Sequence, residues 1–158
     1  MTDDIFAKIG DIKGESTDAK HKDEIEVLSF SWGVASTPPT GGGVGGGAPK
    51  TTFQDLTLVH GIDKATPGLL QACANGQHLK DATITHRKSG GTQHEYLIVK
   101  LNNVLITGVN HSGTPDAPDF ESVTLSFGKV HLEYRPQRPD GTPDTSVHFK
   151  FDVKTGKV

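Results

Sequence analysis

Along most of this chain apolar and polar residues alternate with a period of two, the signature of strands that bury one face and wet the other. The alternation is cleanest near the end, where Val147, Phe149, Phe151 and Val153 share one side and His148, Lys150 and Asp152 the other. Further strand-like runs span Asp4 to Ile9, Ile25 to Ala35, Thr51 to His60, Ala82 to Lys88, Glu95 to Val109 and Ser122 to Tyr134, and the last extends from Ser146 to Val153. They are rich in Val, Ile, Phe, Thr and Leu and are broken by Gly, Pro, Asn and Asp.

Twice the alternation slips by one residue. Val123, Leu125 and Phe127 are apolar at odd positions and Val130, Leu132 and Tyr134 at even ones, which predicts a β-bulge near Gly128. Ile25 and Val27 give way in the same manner to Leu28, Phe30 and Trp32, so those three are expected to fill the interior. Strands that bend and change face suit a mostly-β fold, a small closed β-barrel or two-sheet β-sandwich. Ser89-Gly90-Gly91-Thr92 reads as a two-residue hairpin that sets Ile84 opposite Leu97, Ala82 opposite Val99, Thr85 opposite Tyr96, His86 opposite Glu95 and Arg87 opposite His94. One short α-helix on the side of the barrel is predicted from Thr66 to Asn75. Thr66 is its N-cap, Pro67 its first residue, Gly76 its left-handed stop, and Leu69, Leu70 and Cys73 its apolar stripe.

The 158 residues suit a single domain, 1–158, and no internal repeat interrupts it. Sixteen basic and nineteen acidic side chains leave a net charge of −3, too mild to attract nucleic acid or an anionic membrane. The opening MTDDIFAKIG lacks the basic and apolar regions of a signal peptide, and no apolar run is long enough to span a bilayer. The expectation is a protein made in the cytoplasm that leaves, if it leaves, by a route for folded chains. With Val158 soon after the last strand, no attached toxin domain is expected.

Chemistry is hard to find. Gly41 to Gly46 satisfies a bare G-x-G-x-x-G, but Pro49 and another strand pattern follow where a phosphate cradle needs a helix N-terminus, and Pro49 stands before Lys50 where a P-loop has Gly. Eight histidines show no metal-ligand spacing and read as polar strand positions. Asn110-His111-Ser112-Gly113 lacks the first glycine of a nucleophile elbow. Cys73, the only cysteine, excludes an intrachain disulfide and reads as a small buried hydrophobe. Catalytic residues, metal ligands and cofactor contacts are all expected to be absent, so no enzyme is predicted.

Several stretches together resemble the haemolysin co-regulated protein (Hcp) family of bacterial type VI secretion. They are FAKIGDIKGES at Phe6 to Ser16, EIEVLSFSWG at Glu24 to Gly33, GIDKATPGLLQACANGQH at Gly61 to His78, ITHRKSGGTQHEYLIVKLNNVLITGV at Ile84 to Val109 and ESVTLSFGKVHLEYRPQ at Glu121 to Gln137. The resemblance implies a structural tube protein: a homohexamer in stacked rings, enclosed by a contractile sheath, tipped by a VgrG-type spike, and carrying effector proteins in its lumen. The tube is itself exported, and the fold is like that of phage tail-tube proteins. The chain departs from the family pattern in its glycine-rich loop and after Gln137.

Two sites follow as expectations. The extended loop Thr37 to Lys50, including Thr40, Gly41, Gly42, Gly43, Val44, Gly45, Gly46 and Gly47, corresponds to the family loop that reaches the neighbouring ring; the plainer reading is a surface loop without a partner. If Leu28, Phe30 and Trp32 point inward, then Ser29, Ser31 and Gly33 face out, onto the lumen wall in a ring or onto plain solvent otherwise. Rival readings are a tail-tube protein of a phage-like particle and a monomeric β-barrel binding module with the glycine-rich loop as lid.

Overall fold

The computed structural model describes residues 3–38, 49–89 and 92–158. Among them the order is β1 (Asp4–Ile9), β2 (Ile25–Thr37), β3 (Lys50–Gly61), α1 (Ala65–Asn75), β4 (His78–Lys88), β5 (His94–Thr114), β6 (Ala117–Ser126), β7 (Lys129–Tyr134) and β8 (Val147–Asp152). The strands form one antiparallel sheet in the order β4-β1-β2-β3-β6-β5-β7-β8, and β4 also pairs with β5. That extra pairing closes six strands on themselves, leaving β7 and β8 as an extension. The mostly-β architecture with one side helix is the one the sequence pattern predicts. Its core is largely apolar, with Ile9, Ile25, Leu56, Leu58, Leu69, Leu101 and Leu125 fully buried. Each such side chain contributes about 1.5–3 kcal/mol by leaving water.

The run from Ser122 to Tyr134 divides into β6 and β7, and the expected bulge at Gly128 takes another form. Leu105 lies opposite Ser126 and Asn102 opposite Lys129, so the two strands keep one register along the same edge of β5. The buried side nonetheless switches, from Val123 and Leu125 to Val130, because β5 switches with it: Val99 and Leu101 are buried before Asn102 and Asn103, Val104 and Ile106 after them. In β4 the same change separates Leu79 from Ala82 and Ile84. The sheet is therefore creased across neighbouring strands with no shift of register, although Asn103 has no ladder partner at the crease. Asn103 takes a φ of 53° at the crease, and the Gly128 N–H donates to the carbonyls of Asn102 (2.9 Å) and Asn103 (3.2 Å).

The slip in β2 is a true bulge, since Val27 pairs with His60 and Ser29 with Val59. Phe30 and Trp32 pack against the core as expected, but Leu28 does not: as the extra residue it stays outside, 68% exposed. A second irregularity between Ser31 and Gly33 puts the extra residue on β3 and restores the register out to Thr37 opposite Lys50.

The β4–β5 hairpin is longer than the sequence implied. Lys88 pairs with His94, a bulge follows between His86 and Arg87, and Ile84 comes to face Val99 instead of Leu97, with Ala82 facing Leu101, Thr85 facing Ile98 and His86 facing Leu97. The predicted two-residue turn centres on Gly90 and Gly91, which lie outside the described residues. Because the register along most of the ladder moves by two, Ala82 and Ile84 keep their apolar face.

Helix α1 ends as predicted at Gly76, with φ 61° and ψ 34°. Its start is one residue earlier than expected, because Asp63 Oδ1 accepts from the Ala65 N–H at 2.8 Å while Thr66, read as the N-cap, lies inside the helix. The buried face is Ala65, Thr66, Leu69 and Ala72; Leu70, placed on the stripe by sequence, is 42% exposed, and Cys73 is half-buried. Helical spacing allows either face, and the barrel-facing one is set by the turn that leads in from β3.

Candidate functional site

The outer face of four adjoining strands, β2-β3-β6-β5, carries two cross-strand rows of small side chains. One runs Ser31, Thr57, Thr124, Gly108 and the other Ser29, Val59, Ser122, Asn110, each residue directly opposite the next. The inward neighbours Leu56, Leu58, Val123 and Leu125 are fully buried, so strict alternation pushes these eight outward. No ionisable group stands in either row. Thr57 and Thr124 place their hydroxyls 3.4 Å apart, and Thr107 at one margin donates to Asp55 Oδ2 at 3.1 Å. The two rows offer hydroxyl and amide contacts without fixed charge, and a polypeptide of either sign can lie along them without burying an unpaired ion.

Ser29 and Ser31 are exposed on this face, as the sequence predicted. Gly33 is half-buried and sits beneath Gln54, whose Oε1 would lie 3.3 Å from a Cβ at that position. Thr57, Thr124, Ser122 and Asn110 were not anticipated, although the alternation of Ser122, Thr124 and Ser126 with Val123 and Leu125 carried the signal. Of the extended loop, Thr37 and Lys50 are the last paired residues of the β2–β3 ladder, and Thr40 and Gly41 to Gly47 lie outside the described residues.

The face has two borders with unused backbone. Strand β1 pairs with β2 only at Phe6–Glu26 and Ala7–Ile25, and β4 leaves β5 after His78–Leu105. Among the described residues, β2 beyond Val27 and β5 beyond Ile106 therefore have one strand neighbour each.

The ionisable groups with unusual surroundings lie elsewhere and serve the fold. Arg87, almost fully buried, donates to Asp18 through Nη1 (3.0 Å) and Nη2 (2.7 Å) and to Asp4 through Nη2 (3.0 Å), and lies 4.9 Å above the Phe6 ring. These bonds hold the Asp18 carboxyl down at about 2 and raise the guanidinium above its ordinary value. His60 and Glu121, both fully buried, are 2.7 Å apart, and the Thr66 hydroxyl donates to the same Glu121 oxygen at 3.0 Å. Beside them burial pushes the Asp63 carboxyl up. The expected cross-strand partners of His86 and Arg87 are not the ones found: Arg87 stands opposite Glu95 and His86 reaches the Tyr96 hydroxyl at 3.0 Å. Among the described residues no three His, Cys, Asp or Glu side chains are grouped to hold a metal, and no helix is long and apolar enough to cross a membrane.

Comparison with known proteins gives this face its context. Residues 6–134 match the family model described as type VI secretion system effector, Hcp. This chain belongs to the Hcp family. It is 46% identical over 157 residues to the protein Hcp1 of Pseudomonas aeruginosa, covering 98% of this chain and 97% of that one. The crystal structure of Hcp1 from Salmonella typhimurium is similar with a TM-score of 0.81 at 35% identity, covering 99% of each chain. A solved structure described as a type six secretion system protein superposes with a TM-score of 0.91 at 26% identity, again over 99% of each. Membership of this family makes the chain a type VI secretion tube protein.

Proposed function

We propose that this Hcp protein assembles head to tail into six-membered rings that stack into a tube, with the β2-β3-β6-β5 face as the lumen wall that holds effector proteins in transit. The observation that carries this reading is an uncharged, small-residue face bordered on both sides by strands with an unused edge. A heterologous contact whose rotation closes gives a ring, and axial repetition gives the tube. In this reading the chain leaves the cell with its cargo, inside a contractile sheath and behind a VgrG-type spike. In this reading the extended loop between Thr37 and Lys50, which end the β2–β3 ladder, makes the contact with the next ring.

Light scattering on the purified chain tests the ring: a mass six times the 16.8 kDa subunit is expected, and a 16.8 kDa species overturns it. A Thr57→Asp, Thr124→Asp chain tests the wall. Rings of wild-type mass that retain markedly less effector are expected; equal retention removes the wall from the lumen. Deleting Gly41 to Gly47 should leave single rings but shorten the stacks seen by negative-stain microscopy, and stacks of unchanged length would refute the loop's role.

A further inference from the structure

The β7–β8 extension brings together two histidines that stand 17 residues apart in the chain. On its inner side Val130 pairs with Phe151 and Leu132 with Phe149, all in or against the core, so alternation turns His131, Glu133, His148 and Lys150 outward. His131 is opposite Lys150 and Glu133 opposite His148, which makes the two histidines diagonal neighbours. Their rings meet across that diagonal. His131 Nε2 lies 2.9 Å from His148 Nδ1, with the ring planes tilted by 39°. Among the described residues the other histidine hydrogen bonds go to carboxylates, to the Tyr96 hydroxyl or to the Arg135 carbonyl.

A nitrogen–nitrogen separation of 2.9 Å also suits a shared metal ion. Imidazole nitrogens bind such ions at about 2.0–2.1 Å, so two held at a right angle are about 2.8–3.0 Å apart and two held tetrahedrally about 3.3–3.4 Å. The observed distance fits the right angle, the preference of copper(II) and nickel(II). Binding needs a bare nitrogen from each ring. A neutral imidazole has one, and the proton now lying between the rings moves to the far nitrogen of the ring that carries it. Burial, then the charges of Lys150, His148 and Lys100, hold His131 below its ordinary pKa against the opposing pull of Glu133, which favours the neutral ring. Lys100 and Lys150 face His131 from either side, and both are exposed, so their ammonium groups have room to turn into water. Glu133 is held by Arg135 at 2.7 Å and is no third ligand.

We propose that His131 and His148 form a surface chelate for a divalent transition-metal ion of tetragonal preference, copper(II) foremost, with water in the remaining positions. The site lies within one subunit and does not depend on the ring. It would also staple β8, the last strand of the sheet, to its one neighbour.

Copper(II) titrated into the full chain, followed by electron paramagnetic resonance, tests this. One equivalent with two equatorial imidazole nitrogens is expected. His131→Gln and His148→Gln should each lose one of those nitrogens, whereas His111→Gln, which alters a lone imidazole beside Asp119, should keep both. Copper should raise the urea midpoint of the wild type and leave those of His131→Gln and His148→Gln unmoved, since an ion that binds only the folded chain stabilises it. A two-nitrogen spectrum surviving in either of these variants, or a wild type that binds no copper, would overturn the chelate; zinc(II) displacing copper at equal concentration would overturn its tetragonal character. Should a variant fail to fold, carbethoxylation of the wild type read by mass spectrometry decides. Copper should protect His131 and His148 and leave His111 reactive, and equal modification with and without copper would refute the site.

Discussion

Asn103 and Gly128 meet at the crease of the sheet, where a Cβ at Gly128 would lie 3.1 Å from the Asn103 Cβ and 3.3 Å from its Nδ2. Asn103 already holds a left-handed φ of 53°, a conformation Asn tolerates better than branched residues do. Gly128→Val should therefore cost about 1–3 kcal/mol through overpacking. Asn103→Val should cost about 1–3 kcal/mol through backbone strain, whereas Asn103→Gly should stay close to wild type. Thermal unfolding of the three variants checks this, and an unchanged midpoint for Gly128→Val would show that the crease opens freely.

The buried Glu121 is hydrogen-bonded to His60 and accepts from the Thr66 hydroxyl. Replacing it by Ala leaves two buried polar partners unsatisfied, and a loss of about 3–5 kcal/mol is expected, as for breaking a buried pair from one side. Glu121→Gln keeps an acceptor and should lose about 1–2 kcal/mol. Urea unfolding of both variants measures the difference; equal losses would mean that the carboxylate charge, not the hydrogen bonding, sets the cost.

The Asp18 carboxyl sits at about 2, below its ordinary 3.8, chiefly because Arg87 donates to it. A depressed carboxyl stabilises the fold above its unfolded value and ceases to do so as pH falls through the folded one. The stability gap between wild type and Asp18→Asn should thus be constant above about pH 5 and close between about pH 4 and 2. Urea midpoints across that range check it, and a gap that persists at pH 2 would remove the ion pair as its source.

Leu28 gives a test that separates folding from association. It is exposed in the single chain, so Leu28→Asp should change subunit stability by no more than about 0.5 kcal/mol. The same change should reduce the assembled mass at equal concentration, because Leu28 lies on the unpaired stretch of β2 that borders the proposed lumen wall. Unaltered assembly would place Leu28 outside the contact.

Much of the fold was legible because period-two alternation is a direct record of burial. Strand β1 matches its predicted limits, and β8 lies within a residue or two of them. What escaped was anything decided by a neighbour rather than by the strand itself. The switch of face near Gly128 was visible in one strand, but only β5 and β4 switching alongside make it a crease instead of a bulge. Leu28 has the composition of a core residue and the position of a bulge, and position wins. Thr66 resembles a cap but is drawn inward by Glu121, some fifty residues later in the chain. The small-residue face was half legible, since Ser29 and Ser31 follow from parity in β2 while their partners Val59 and Thr57 depend on the β2–β3 pairing.

Strand β5, with its 21 residues, runs unbroken from the stretch that pairs with β4 and β7 into the four-stranded face. Load applied to one half is thus transmitted to the other along covalent backbone, with no intervening loop to stretch. Tension along β5 would stress the rungs to β6 and β7 in shear, many at once, so the subunit has no obvious place to begin tearing.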